Sequence, residues 1–511
     1  MFSIPKLPTT SLTSAILLCA TASLRAANPV AAGQSVSKPD LLLIMPDQMR
    51  GDCLSILGHP AVHTPNLDQL ARQGALFYRA YCTVPSCIAA RSALLTGRFP
   101  QSTGVVGFAA KPITVPTFPE VLDAAGYATV LVGRNMHQVA ASKTCGYQQQ
   151  VLGSTYLGGD AYDLDLQQSA PESGGILKVV RQLRLNCNGW RAKPWPLADD
   201  LHPTAWVVSQ SRKIVAAAAL TRPLFLTASF YAPHPPLFPP AKYFDAYLKA
   251  DLPKPAQGDW VNWDELSPMG DRQGHRVRME GETLRAAQAG YFGLIEHLDQ
   301  QIGALVEDFK ARSEKAGRSW VIVVTSDHGE MLGDHGYFRK CEPFEGSTRI
   351  PFIVAASPGL GFKPSCRSSQ PVCLEDVMPT LLELAGTPSP ARIDGVSLVP
   401  VLRGEDRVIR KWLHMEHATC YSRQQAFHAL TDGHYKYIWR PFDGTEHLFD
   451  LDADPREERD LVMVTAQGET LKSWRARLVQ RLAGRPEGFS DGAQLIPGRP
   501  YPALHETPSG T

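Results

Sequence analysis

Residues 320–328 read Trp-Val-Ile-Val-Val-Thr-Ser-Asp-His. The run Trp320–Thr325 is short, rich in β-branched residues and unbroken by charge, the pattern of a strand covered on both faces in a parallel sheet. It ends in Asp327-His328, two side chains with ligand atoms. Leu41–Met45 repeats the arrangement and runs into Asp47-Gln48. Thr129–Val132, Leu224–Ser229 and Pro351–Ala355 read as further buried parallel strands, with helical segments such as Asn66–Gln73, Phe118–Ala125 and Gly290–Leu305 between them. This alternation predicts an α/β fold with a doubly wound, mostly parallel sheet. In such a sheet ligands collect beyond the carboxyl ends of the strands, so the two Asp-bearing tips face one crevice. A single strand-end Asp is more often a turn or helix cap. Its recurrence at two strands points instead to a divalent cation, and oxygen-rich ligands favour Ca²⁺ over a transition metal.

Residues 85–100, Pro-Ser-Cys-Ile-Ala-Ala-Arg-Ser-Ala-Leu-Leu-Thr-Gly-Arg-Phe-Pro, carry the second signal. Cys87 stands four residues before Arg91 at the head of an apolar helical run. That spacing places both side chains on one helix face, with the sulfur at the positive end of the helix. A Cys in this position is either a packed small hydrophobe or an activated thiolate, and the local pattern leaves both readings open.

The chain has 511 residues and a formal net charge of +1, which calls for more than one core or layer and gives no reason to invoke nucleic acid. Lys6, the apolar or small run Leu12–Leu24 and small residues around Ala20–Ala27 read as an export signal over 1–27. No later run is long enough to span a bilayer. The expected location is therefore the periplasm or the medium, without stable membrane insertion. Cys19 would leave with the signal. Export permits disulfides among Cys53, Cys82, Cys145, Cys187, Cys341, Cys366, Cys373 and Cys420. Cys366 and Cys373 are near enough to close a small loop, and buried thiols are the equal alternative. Near residue 401 the pattern shifts to shorter, aromatic-rich runs, such as His434–Trp439 and His447–Leu451, with a closing helix near Glu469–Leu482. The division expected is a catalytic domain over 38–400, a smaller α+β subdomain with an antiparallel sheet over 401–485, and a Gly- and Pro-rich extended tail over 486–511.

Cys87-Ile88-Ala89-Ala90-Arg91 followed by Leu94-Leu95-Thr96-Gly97-Arg98 resembles the signature of the type I, formylglycine-dependent sulfatases of the alkaline-phosphatase-like superfamily, in the iduronate-sulfatase-like and arylsulfatase branch. The likeness extends over roughly residues 38–485. Thr64-Pro65-Asn66-Leu67-Asp68 matches a family helix start, and Leu448-Phe449-Asp450-Leu451 with Asp454-Pro455 matches the C-terminal subdomain. The resemblance implies that Cys87 is oxidised to Cα-formylglycine by a formylglycine-generating maturation enzyme. It also implies that Asp47, Gln48, Asp327, His328 and the modified Cys87 hold Ca²⁺. Gly133-Arg134-Asn135-Met136-His137 is similar to the family's G-K-x-x-H, which gives His137 a catalytic role and Arg134 a role in binding the anion. Tyr231-Ala232-Pro233-His234-Pro235-Pro236 is similar to its A-P-H-x-P loop, and Lys340 matches its sulfate-side Lys. His234 and Lys340 would bind the substrate and protonate its leaving oxygen, and Arg91 would hold the modified residue.

The function implied is hydrolysis of a sulfate monoester, carried by a carbohydrate or another small molecule, through a hydrated formylglycine nucleophile. Three departures stand beside it: Ala89 where Pro is usual, Arg134 where Lys is usual, and Phe108 where many members have Asn. Gln48 and His328 also occur in a branch with phosphonate monoester and phosphodiester hydrolases, which keeps that activity as an alternative. A non-catalytic, sulfated-glycan-binding relative is the third reading; it predicts lost site residues, and every main position is filled.

Overall fold

A computed structural model describes residues 38–137, 144–266 and 276–505. The expected export signal and Cys19 lie outside them. Ten strands come first: β1 (Asp40–Asp47), β2 (Ala75–Phe77), β3 (Ala80–Tyr81), β4 (Ala128–Gly133), β5 (Gln149–Leu152), β6 (Leu224–Pro233), β7 (Trp320–Thr325), β8 (Phe352–Ala356), β9 (Cys366–Ser368) and β10 (Val372–Cys373). Eight of them form one sheet in the order β5-β4-β6-β1-β7-β8-β2-β9. β1 lies at its centre, parallel to β6 and β7.

Alternation along the central strands builds two cores. Leu42 and Ile44 of β1, with Ile322 and Val324 of β7, face the helices Pro65–Gln73, Pro203–Ala217 and Gly281–Lys315. Leu41, Leu43 and Met45, with Val321 and Val323, face the helices Cys87–Thr96, Phe118–Ala124 and Val377–Leu384. A one-residue slip would exchange the two sets of side chains between differently shaped cores. With about 1.5–3 kcal/mol at stake for each large apolar side chain, the register is firmly set. It is this register that fixes Asp47 and Asp327 at the same end of adjacent strands.

One expected strand runs the other way. Pro351–Ala355 was expected to be parallel; β8 is antiparallel to both β7 and β2. A parallel return needs a crossover, usually a long helix. Residues 326–351 carry only short helical turns, at Asp334–Gly336 and Glu345–Thr348, so the chain comes back from the end it left. The helix expected at Gly290–Leu305 spans Gly281–Lys315, 35 residues along one face of the sheet.

The strands β11 (Leu413–His417), β12 (Phe427–Thr431), β13 (Tyr435–Trp439) and β14 (Glu446–Asp450) form an antiparallel meander. The helix Gly468–Leu482 covers it through Leu471, Trp474, Leu478 and Leu482. The tail past Arg485 is a strap laid back on this sheet: Phe489 and Tyr501 are buried in its core. The Tyr501 hydroxyl donates to Glu416, which is also gripped by both Arg485 nitrogens at 2.6 and 3.1 Å. Cys366 and Cys373 sit on separate strands as thiols, and no disulfide joins any cysteines among the described residues. No helix among those residues is long and apolar enough to cross a membrane.

Candidate active site

The site forms where β1, β4, β6 and β7 end and the Cys87–Thr96 helix begins. The pairing of β1 with β6 shifts between Met45 and Asp47, a bulge that re-aims the Asp47 side chain. Gln48 follows in the left-handed region at φ 65°, as does His137 at φ 57°. Such backbone is sparsely populated by non-glycine residues and concentrates at functional sites. Gly133, at φ 96°, ends β4; a Cβ there would lie 2.0 Å from the Ser229 carbonyl oxygen. Only glycine lets the chain turn there and send Arg134 into the crevice.

Cys87 opens its helix with Sγ 3.2 Å from His328 Nε2 and 4.0 Å from Asp47 Oδ1. The ligand atoms of Asp47, Cys87, Asp327 and His328 all lie within 4.8 Å of one another, and all four residues are buried. His328 Nδ1 donates to the Gly329 carbonyl at 2.9 Å, which turns the Nε2 lone pair toward the other three. Two buried carboxylates, one imidazole lone pair and one convertible sulfur make a donor set that fits a divalent cation. Gln48 stands beside them. Its backbone N–H donates to Asp327 Oδ1 at 3.1 Å, its Oε1 accepts from Lys340 Nζ at 2.8 Å, and its Nε2 donates to Glu330.

Cationic side chains close the cluster. Arg91 is fully buried and bridges the strand tips, with Nη2 3.0 Å from Asp47 Oδ2 and Nε 3.0 Å from Asp327 Oδ2. Its Nη1 donates to the Asn135 carbonyl and to Ser229 Oγ, both at 3.1 Å. Arg134 Nε lies 2.6 Å from Asp47 Oδ2, and its Nη2 donates to His137 Nε2 at 2.9 Å. Lys340 Nζ donates to His234 Nε2 at 3.0 Å, while His234 Nδ1 donates to the Pro235 carbonyl at 2.6 Å.

These contacts set the protonation states. Burial works against charge on Cys87, yet Lys340, His328 and Arg134 hold its thiol well below the ordinary value. Burial and the Lys340 charge press His234 down to about 3, so its ring is neutral. Burial opposes charge on Asp47 as well, but Arg134 and Arg91 keep it ionised. For Asp327, burial and the neighbouring Asp47 push the pKa up. A positive ion between the two would relieve that repulsion.

All ten positions singled out in the sequence thus meet in one crevice. Phe108 is not among them: its ring is 49% exposed. Glu330 belongs to the site and escaped notice. Fully buried, it accepts from Gln48, from Leu332 N–H at 2.8 Å and from Arg339 N–H, tying the Asp327 tip to the Lys340 loop. A second acid two residues beyond Asp327-His328 was the signal. Tyr231 and Tyr156 were also missed. The Arg134 guanidinium lies 4.2 Å from the Tyr231 ring centroid, and Tyr156 packs on that ring.

Comparison with known proteins identifies the family. The family model described as Sulfatase matches residues 39–387, and that described as N-sulphoglucosamine sulphohydrolase, C-terminal, matches residues 333–483. An arylsulfatase of Clostridium perfringens is 35% identical, over 91% of this chain and 99% of its own. A choline-sulfatase of Rhizobium meliloti is 30% identical, over 84% and 83%. The crystal structure of a phosphonate monoester hydrolase of Agrobacterium radiobacter superposes with a TM-score of 0.71 at 23% identity, over 87% of this chain and 95% of that one. With one family model matching most of the chain and two relatives at 30% identity or more aligned over most of both lengths, the chain belongs to the sulfatase family of sulfuric ester hydrolases, in the alkaline-phosphatase-like superfamily.

Proposed function

We propose that this protein is an exported sulfatase that hydrolyses a sulfate monoester of a carbohydrate, using Ca²⁺ and a formylglycine made from Cys87 by a maturation enzyme. The observation that carries the reading is the buried convergence of Cys87, Asp47, Asp327 and His328 beneath Arg134 and Lys340. Support for a carbohydrate comes from the C-terminal match, described as N-sulphoglucosamine sulphohydrolase, and from the likeness to an N-acetylglucosamine-6-O-sulfatase.

Formylglycine, as its hydrate, would supply an oxygen nucleophile that can be regenerated, and Ca²⁺, which Asp47, Gln48, Asp327 and His328 would hold, would supply positive charge for the ester oxygens. The protein's own side chains do the rest. Arg91 holds Asp47 and Asp327 in place from behind. Arg134 and Lys340 neutralise the sulfate from the rim, inside a crevice that water reaches poorly. Lys340 has three N–H donors, and Gln48 and His234 take two of them. The third is left for the bridging oxygen of the ester. Lys340 Nζ therefore protonates the departing alcohol, and neutral His234 Nε2 receives and returns protons at that nitrogen. His137 Nε2 accepts from Arg134 Nη2 at 2.9 Å, and once that donor turns to the sulfate the freed nitrogen can take the proton of the residue-87 hydroxyl.

Comparing turnover of 4-nitrophenyl sulfate with that of an aryl phosphonate tests the reading. Sulfate should be favoured, as the match to the sulfatase family and to a 35% identical arylsulfatase leads one to expect. Phosphonate turnover far above sulfate turnover would establish the phosphonate or phosphodiester alternative, to which Gln48 and His328 lend themselves. Chelation gives a second check. Treatment with a chelator should lower both activity and the thermal midpoint, and added Ca²⁺ should restore both. At a free ion concentration 100 times Kd the stabilisation is about 2.7 kcal/mol. An unmoved midpoint would count against a resident cation.

A further inference from the structure

Tyr156 lies on the segment that follows β5 and ends at the Ala161–Ser169 helix. The segment is pinned. Ser154 Oγ accepts from Tyr156 N–H at 3.1 Å and from Leu157 N–H at 3.0 Å. Asp160 caps the following helix through Asp163 N–H at 2.9 Å. The Tyr156 ring is half-buried and packs on Tyr231 with centroids 5.4 Å apart at 59°. Tyr231 is itself immobilised, with one face against the Arg134 guanidinium and its ring edge-on to His234 at 82° and 5.4 Å. Tyr156 is thus one ring removed from Arg134 and His234, through Tyr231, which both of them touch.

We propose that Tyr156, braced by Tyr231, is the platform for the leaving alcohol, and that the site thereby selects sulfate esters of ring alcohols, aryl or pyranose, over esters of an acyclic cationic alcohol. The proposal rests on the sulfatase reading and adds a substrate class to it. A flat apolar ring face gains by lying on a preformed aromatic surface. A quaternary ammonium needs several aromatic faces around it. Here Arg134 already occupies the Tyr231 face, and its charge, with that of Lys340, repels a cation from the rim.

The test uses 4-nitrophenyl sulfate, glucosamine 6-sulfate and choline-O-sulfate. For wild type, Tyr156→Phe and Tyr156→Ala, kcat/KM is measured on each ester. Removing the ring should cut the preference for both ring esters over choline-O-sulfate about three- to tenfold, through KM more than kcat. Tyr156→Phe should keep the preference, because it keeps the ring. A loss with the aryl ester alone would assign the platform to aryl rings, and with the saccharide alone to pyranoses. A preference unchanged in Tyr156→Ala, or equal losses on all esters, would overturn the proposal. The same comparison is made by calorimetry in a Cys87→Ala background, where Tyr156→Ala should weaken 4-nitrophenyl sulfate binding and spare choline-O-sulfate. If the wild-type protein hydrolyses no sulfate ester, the sulfatase reading fails, while the calorimetric comparison still decides the role of Tyr156.

Discussion

Replacing Cys87 with Ala should reduce sulfate ester turnover by at least about 10⁴-fold while leaving the fold intact, as expected when the sole nucleophile is removed. The Cys87 side chain is small and sits at the first position of its helix, so truncation leaves a slight void and an Ala that the helix tolerates well. The circular dichroism spectrum and the thermal midpoint should stay close to those of the parent. Mass spectrometry of the tryptic peptide Ala80–Arg91 completes the test. Protein from the native host should carry an aldehyde at position 87, and the aldehyde fraction across preparations should track specific activity. Activity at the parental level in Cys87→Ala would remove both hydrolase readings together.

Arg91→Met should destabilise the protein by about 3–5 kcal/mol, the usual result of leaving buried charge without its partner. Arg91 reaches both strand-tip carboxylates with its guanidinium, at 3.0 Å each, and it is wholly shielded from water. Asp47 would keep Arg134 at 2.6 Å, whereas Asp327 would lose its guanidinium partner. The loss is therefore expected to fall on the Asp327 tip, and Ca²⁺ should recover part of it because the ion attracts the same carboxylates. Urea unfolding with and without Ca²⁺ measures both quantities. Arg91→Lys, which restores charge without the fork, should lie between parent and Arg91→Met. Unfolding curves that coincide for all three proteins would refute the structural role given to Arg91.

The reach of the sequence reading follows from what each signal depends on. Asp47 and Asp327 were legible because a buried strand announces itself by composition and its carboxyl end is a known meeting place. Cys87 and Arg91 were legible because helical spacing alone puts them together. The direction of β8 was not, since an apolar run looks the same whether the strand is parallel or antiparallel, and the choice lies in the connection. The tail was legible only as extended, because Gly and Pro content speaks to backbone and not to contact; where Phe489 and Tyr501 bury is set by the antiparallel sheet they meet. Glu330 resembled an ordinary loop acid until its three donors were in place. Tyr156 and Tyr231, 75 residues apart, meet only through the packing of β5, β6 and their loops. Spacing along the chain holds no trace of such a pairing.

The depth of Cys87 imposes an order of events. In the folded chain the residue is 2% exposed, on a helix whose neighbours Ala89, Ala90 and Arg91 are sealed in the interior. A second protein's active site has no path to that sulfur once the tips of β1 and β7 have closed over it. On the mechanism proposed above, oxidation of Cys87 and completion of the fold would be rivals for the same interval after synthesis. A molecule that folded first would stay a thiol, so preparations should be mixtures whose proportions record that race and not the conditions of later handling.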